Sequence, residues 1–173
     1  MGDRFLDNQI HRFAFPLLGI ALLISTTRLY AQPVSAEIVK LATRPELTQQ
    51  YLIIKEGSPK AVALLFTGGD APLKFTGTFP NITWSPYGSS YVVRARMHFR
   101  DPDTAVVLID SASDMWERAQ DQHFRQSATH LNDVRQVVAD IKSRFPGAKI
   151  YLIGTSMGTV SAAHNGKALG KEI

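Results

Sequence analysis

Residues 104–153 constrain the fold more tightly than any other part of the chain. They open with TAVVLI, a continuous apolar run that stops at Asp110, and close with KIYLI, a second run that stops at Gly154. Between the two, Ala128, Leu131, Val134, Val137, Val138, Ile141 and Phe145 recur mainly in steps of three and four. That period lays them along one stripe of a helix over 124–145, which Pro146-Gly147 ends. Strand, helix, strand in this order is a βαβ unit, whose two strands run parallel through a right-handed crossover.

Two earlier runs repeat the strand pattern. YLIIK at 51–55 stops at Glu56-Gly57-Ser58-Pro59, and AVALLF at 61–66 stops at Thr67-Gly68-Gly69-Asp70. Runs that are apolar throughout, and do not alternate, suit strands buried on both faces. The expected class is therefore α/β, a mostly parallel sheet with flanking helices. A shorter helix is expected over 89–99, capped by Ser90 and stopped by Asp101-Pro102. The stretch 68–88 carries Pro72, Pro80 and Pro86 with Phe75, Phe79, Trp84 and Tyr87. It reads either as a lid or substrate wall, or as a hydrophobic cluster covering a sheet edge.

The N-terminus has a different character. FAFPLLGIALLIS at 13–25 has no charge, follows Arg4 and Arg12, and is followed by small-residue exits at Ala31 and Ala36. A basic start, a short apolar core and a small-x-small exit are the marks of a secretory signal, and the core falls short of the ~20 residues of a spanning helix. Residues 1–36 are read as this signal, cut near 31 or 36, and 37–173 as the domain. The expected location is periplasmic or secreted, with an uncleaved membrane anchor as the alternative.

The net charge of +4 is scattered, without a basic run, which argues against a nucleic-acid partner. The chain has no cysteine, which excludes disulfides, thiolate metal sites and a thiol nucleophile.

The motif that carries chemistry is Gly154-Thr155-Ser156-Met157-Gly158, directly after KIYLI and before the small-residue segment 159–163. A serine on a sharp strand-to-helix turn is lifted out of the sheet, and glycines two positions to either side let the backbones approach. The helix start beneath it offers unpaired N–H groups and a dipole that favours a developing oxyanion.

These residues resemble the N-terminal half of a secreted or periplasmic bacterial serine hydrolase of the α/β-hydrolase family. The resemblance runs from about Tyr51 to the end and rests on GTSMGT after a strand, the Thr67-Gly68-Gly69 turn, and 110–114 (DSASD) at a strand end. It implies Ser156 as nucleophile, attacking an ester, thioester or amide of a small-molecule or peptide substrate. It also implies an oxyanion hole from the backbone N–H of Met157 with that of Gly69 or Asp70, and no cofactor or metal.

The family's triad continues with Asp or Glu and then His along the chain. Here the residues after Gly158 hold only Glu172 and His164. His164 stands eight residues after Ser156, about 12 Å of helical rise, so it points away from the hydroxyl. The chain is accordingly expected to be inactive by itself, a hydrolase fold truncated after the helix that follows the serine. KIYLI would then be an edge strand, with a weakened fold and a tendency to aggregate. The alternative is a non-catalytic exported binding or interaction domain of the same architecture.

Other pairings carry less. His123 and His130 are seven apart with no third ligand, and read as solvated or capping groups. Asp110 and Asp114 stand at a strand end and read as loop-ordering or capping acids. Arg94 and Arg96 read either as their partners or as a solvated helix face.

Overall fold

The computed structural model describes residues 33–69, 72–85 and 90–173. The apolar segment 13–25, the exit at Ala31 and the residue Asp70 lie outside them. No helix among the described residues is long and apolar enough to cross a membrane.

Five strands form one sheet in the order β1-β2-β4-β3-β5. They are β1 (Ser35–Arg44), β2 (Leu47–Lys55), β3 (Ala61–Phe66), β4 (Thr104–Ile109) and β5 (Lys149–Gly154). β3 pairs in parallel with β4 on one side and β5 on the other, so Leu64 faces both Val107 and Leu152. β2 runs antiparallel to β1 and to β4, so it alone opposes the common direction.

Alternate side chains of the inner strands go to opposite faces, and both faces are dry. Val62, Leu64, Phe66 and Val107 pack on Val134, Val137, Val138 and Ile141 of helix α3 (Ala128–Arg144). Ala63, Leu65, Val106 and Leu108 pack with Leu73, Phe75, Val92 and Val93 on the other side. Leu73 and Phe75, with Ile82 and Trp84 beside them, make the segment 72–85 a cover for the sheet. Phe79 stands out of it, half exposed.

Three expectations need correction. Strand β1 has no counterpart in the sequence reading, because SAEIVKLATR mixes polar and apolar residues with neither a continuous apolar run nor strict alternation and lies at the sheet edge, with only Val39 and Thr43 buried. It begins at Ser35, so a cut after Ala36 would fall inside it and a cut after Ala31 ahead of it.

The helix over 124–145 is two helices. Asp121 accepts from the N–H groups of His123 and Phe124 and starts α2 (Gln122–Arg125), and Ser127 accepts from that of His130 and starts α3. Two caps six residues apart break one stripe into two elements. The helix over 89–99 is a single turn, α1 (Tyr91–Arg94), followed by a 3-10 turn at Arg96–Phe99. Ser90 does not cap it with its side chain.

Candidate active site

β5 ends at Gly154 and helix α4 (Met157–Leu169) starts three residues on. Ser156, at the corner, has φ 50° and ψ −128°. An L-residue rarely adopts this backbone, at a cost of about 1–3 kcal/mol, and it persists only where its surroundings enforce it. The enforcement is visible. The Gly158 N–H donates to Thr155 O at 2.8 Å, and the Thr159 N–H and hydroxyl donate to Ser156 O at 2.9 and 2.6 Å.

Both flanking glycines are required by contact. A Cβ on Gly154 would lie 2.2 Å from Gly158 O, and one on Gly158 would lie 2.2 Å from Phe66 O and 2.7 Å from Thr67 O. The first turn of α4 thus rests directly on the end of β3. The Ser156 side chain is exposed and makes no capping bond.

The loop after β3 lies against the same corner. A Cβ on Gly68 would sit 3.4 Å from Ser156 Cβ and 3.5 Å from Thr155 O. The Gly68 N–H donates to Ser90 Oγ at 3.2 Å and is therefore engaged within the loop. Met157 is the first residue of α4, so its N–H has no carbonyl one turn earlier to bond. The loop after β3 and the first turn of α4 therefore meet at the corner that carries Ser156.

No family model and no curated protein sequence matches the chain. Among solved structures, the zinc-bound form of a cold-adapted esterase from an Arctic intertidal metagenomic library aligns at 17% identity with a TM-score of 0.55, covering 81% of this chain and 56% of that one. Its polyethylene-glycol-bound form aligns at 17% identity with a TM-score of 0.56, covering 83% and 60%. The chain has part of an α/β-hydrolase fold. It spans less than two thirds of the length of those esterases.

Within this hydrolase fold, a polar cluster lies beneath the corner. Arg125 of α2 is 6% exposed. Its Nε donates to Ala119 O at 3.0 Å, Nη1 to Ser161 Oγ at 3.1 Å and Nη2 to Gly68 O at 3.3 Å. Among the described residues no carboxylate pairs with it, and burial pushes its guanidinium below the ordinary range. His130 Nε2 lies 3.0 Å from the same Ser161 hydroxyl, with its ring against Phe66 and Phe124. Arg125 can only donate, so the Ser161 proton is free to point at Nε2. A cavity of about 20 Å³, room for one water, is lined by Arg125 and His130 together with Thr67, Asp110 and Ser111.

Burial, then the Arg125 charge and His164, pushes His130 down to about 3. The neutral ring is the folded form. An unfolded histidine takes its proton near 6.5, so between that pH and about 3 the unfolded state binds one proton more. Stability contributed by neutral His130 is full above 6.5 and falls by up to about 1.4 kcal/mol per pH unit below it. Urea midpoints from pH 7 to 4 should show this slope, and His130→Gln should flatten it. An identical slope in the variant would mean that His130 is not the group responsible.

The other residues singled out by sequence lie elsewhere. Asp110 orders a loop: its carboxylate accepts from the N–H groups of Leu73, Lys74 and Ser111 at 2.6–2.8 Å, while burial pushes its pKa up. Asp114 pairs with Arg44. Arg96 lies 4.5 Å from the ring centre of Trp84 and donates to Val93 O, so it joins neither acid. His123 and His130 do not converge, and among the described residues no three His, Asp or Glu side chains are placed to hold a metal. His164 lies two turns along α4 from Ser156, and among the described residues its buried Nε2 has no hydrogen-bond partner.

Two residues have roles at the site that the sequence does not announce, Ser90 being expected only as a helix cap. Ser90 holds the Gly68 amide, and nothing in its surroundings announces that. Arg125 lies in α2, off the stripe that α3 presents to the sheet, so the helical period gives no sign of it.

Proposed function

We propose that the chain carries the nucleophile and oxyanion hole of a serine hydrolase that cleaves an ester, thioester or amide by acyl transfer through Ser156. The observation that carries this reading is the backbone of Ser156, held at φ 50° on a strand-to-helix corner where the residue is exposed. In the first step the Ser156 oxygen adds to the substrate carbonyl and its proton passes to a base. The carbonyl oxygen, now negative, is held by the N–H groups of Met157 and Gly69, with the α4 dipole behind them. Collapse expels the leaving group and leaves an acyl-serine, which water then cleaves.

The base and its supporting acid are not among the described residues around Ser156, and serine at its free pKa is a poor nucleophile without them. The reading therefore assigns residues 1–173 no enzymatic turnover of their own, and at most the ~10³–10⁴-fold acceleration over water that an oxyanion hole and binding give. The apolar run at 13–25 supports export, with action in the periplasm or outside the cell. The same lack of a base favours a second reading, an exported binding domain that keeps the corner as architecture.

A fluorophosphonate probe separates the two. An intact hydrolase carrying this chain should be labelled, and Ser156→Ala should abolish the label. Labelling that survives the substitution would reject Ser156 as nucleophile. An intact protein that takes no label would favour the binding domain.

A further inference from the structure

We infer that Arg125 is a positioning residue for the oxyanion hole, acting through the peptide that joins Gly68 to Gly69; the inference rests on the acyl-transfer reading above. A guanidinium buried without a carboxylate is costly to the fold. Its three arms show what it holds together. One ends on Gly68 O in the loop after β3, one on the Ser161 hydroxyl in α4, and one on Ala119 O near the start of α2.

Gly68 O and the Gly69 N–H belong to one planar trans peptide and point in opposite directions. Holding the oxygen on Arg125 therefore aims the Gly69 N–H away from the guanidinium. The Gly68 N–H is fixed in turn by Ser90 Oγ at 3.2 Å, so both peptides flanking Gly68 are held. Ser161 stands one helical turn beyond Met157, so the second arm refers the same guanidinium to the helix that supplies the other donor. The spacing between the two donors is set by one rigid fork. The positive charge also polarises the Gly68–Gly69 peptide and strengthens its N–H as a donor.

The chain lacks cysteine, so Ser156→Cys introduces a single thiol that reacts without a base as its thiolate near pH 8.5. Two probes then separate the hole from the nucleophile. With 4-nitrophenyl acetate the thiolate adds to the carbonyl, the oxygen carries the charge, and 4-nitrophenolate leaves as the thioester forms. With iodoacetamide the thiolate displaces iodide, and no oxyanion arises. Both rates are measured on monomer isolated by gel filtration and divided by those of a free thiol of matched pKa.

The expected result is that Ser156→Cys shows an acylation ratio about tenfold or more above its alkylation ratio, and that adding Arg125→Lys removes most of that excess while alkylation changes by less than about twofold. Lysine keeps the charge but cannot span the three acceptors, so retained excess in Arg125→Lys overturns the positioning role and leaves the hole intact. No excess in Ser156→Cys itself overturns the hole and the positioning role together. If Arg125→Lys fails to fold, Ser161→Ala carries the test, because it takes away one anchor of the fork. Loss of acylation with alkylation kept supports the inference, and unchanged acylation overturns it.

Discussion

Gly158→Ala should lose about 3 kcal/mol or more of folding stability, a large share of the ~5–15 kcal/mol that a domain has. The added methyl would lie 2.2 Å from Phe66 O and 2.7 Å from Thr67 O. Both are backbone atoms at the end of a central strand, so no rotamer change relieves the clash and α4 must lift off β3. That movement also pulls the Met157 N–H away from the loop that carries Gly69. Gly166→Ala, in the same helix, is the control. Its methyl would meet only Leu152 Cδ1, at 3.9 Å, and alanine in a helix interior gains roughly 0.5–1 kcal/mol over glycine. Urea unfolding of the two variants should move in opposite directions. Similar midpoints would mean that the first turn of α4 does not rest on β3.

Arg44→Ala should cost about 3–5 kcal/mol, because it strands a carboxylate inside the protein. Arg44 ends β1 and grips two acids. Its Nη1 and Nη2 donate to the two oxygens of Asp114 at 2.8 and 3.0 Å, and its Nε and Nη2 donate to those of Asp133 at 3.1 and 3.0 Å. The partners differ in what they lose. The Asp133 side chain is fully buried in α3, whereas that of Asp114 is 42% exposed and can turn to water. Asp114→Ala should therefore cost about 0–1 kcal/mol, as exposed pairs do. Replacing Arg44 by Met and Asp133 by Leu together should recover most of the loss, since a buried pair exchanged for apolar groups is often neutral. Denaturation of all three forms checks the ordering. Equal losses in Arg44→Ala and Asp114→Ala would show that burial of Asp133 is not what makes Arg44 matter.

The parts of the fold that were readable from sequence are those in which a residue's environment is the same along a whole element. The inner strands are dry on both faces, so 61–66 and 104–109 appear as unbroken apolar runs. The corner was readable because Gly-x-Ser-x-Gly records two close backbone approaches at fixed spacing, Gly154 on Gly158 O and Gly158 on Phe66 O. Strand β1 hid because much of it faces water and its apolar residues, Ala36, Ile38, Val39, Leu41 and Ala42, are interrupted by Glu37 and Lys40, so no continuous apolar run marks it. The break between α2 and α3 hid because the stripe continues across it, although Asp121 and Ser127 were present as caps. Arg125 and Ser90 hid for another reason. Their partners, Gly68 O and the Gly68 N–H, are main-chain groups with no identity in the sequence, brought near by tertiary packing alone.

The strand order β1-β2-β4-β3-β5 also orders events during synthesis. β3 leaves the ribosome third, yet both of its neighbours, β4 and β5, are made later. β1 and β2 can pair at once as a hairpin, while AVALLF waits for partners about 40 and 90 residues downstream. A non-local strand left open in this way is the segment most exposed to misfolding. The contact of Gly158 on Phe66 O cannot form until β5 has docked beside β3. The backbone twist at Ser156 therefore forms only after β5 has docked, and its presence marks a β3 already paired on that side.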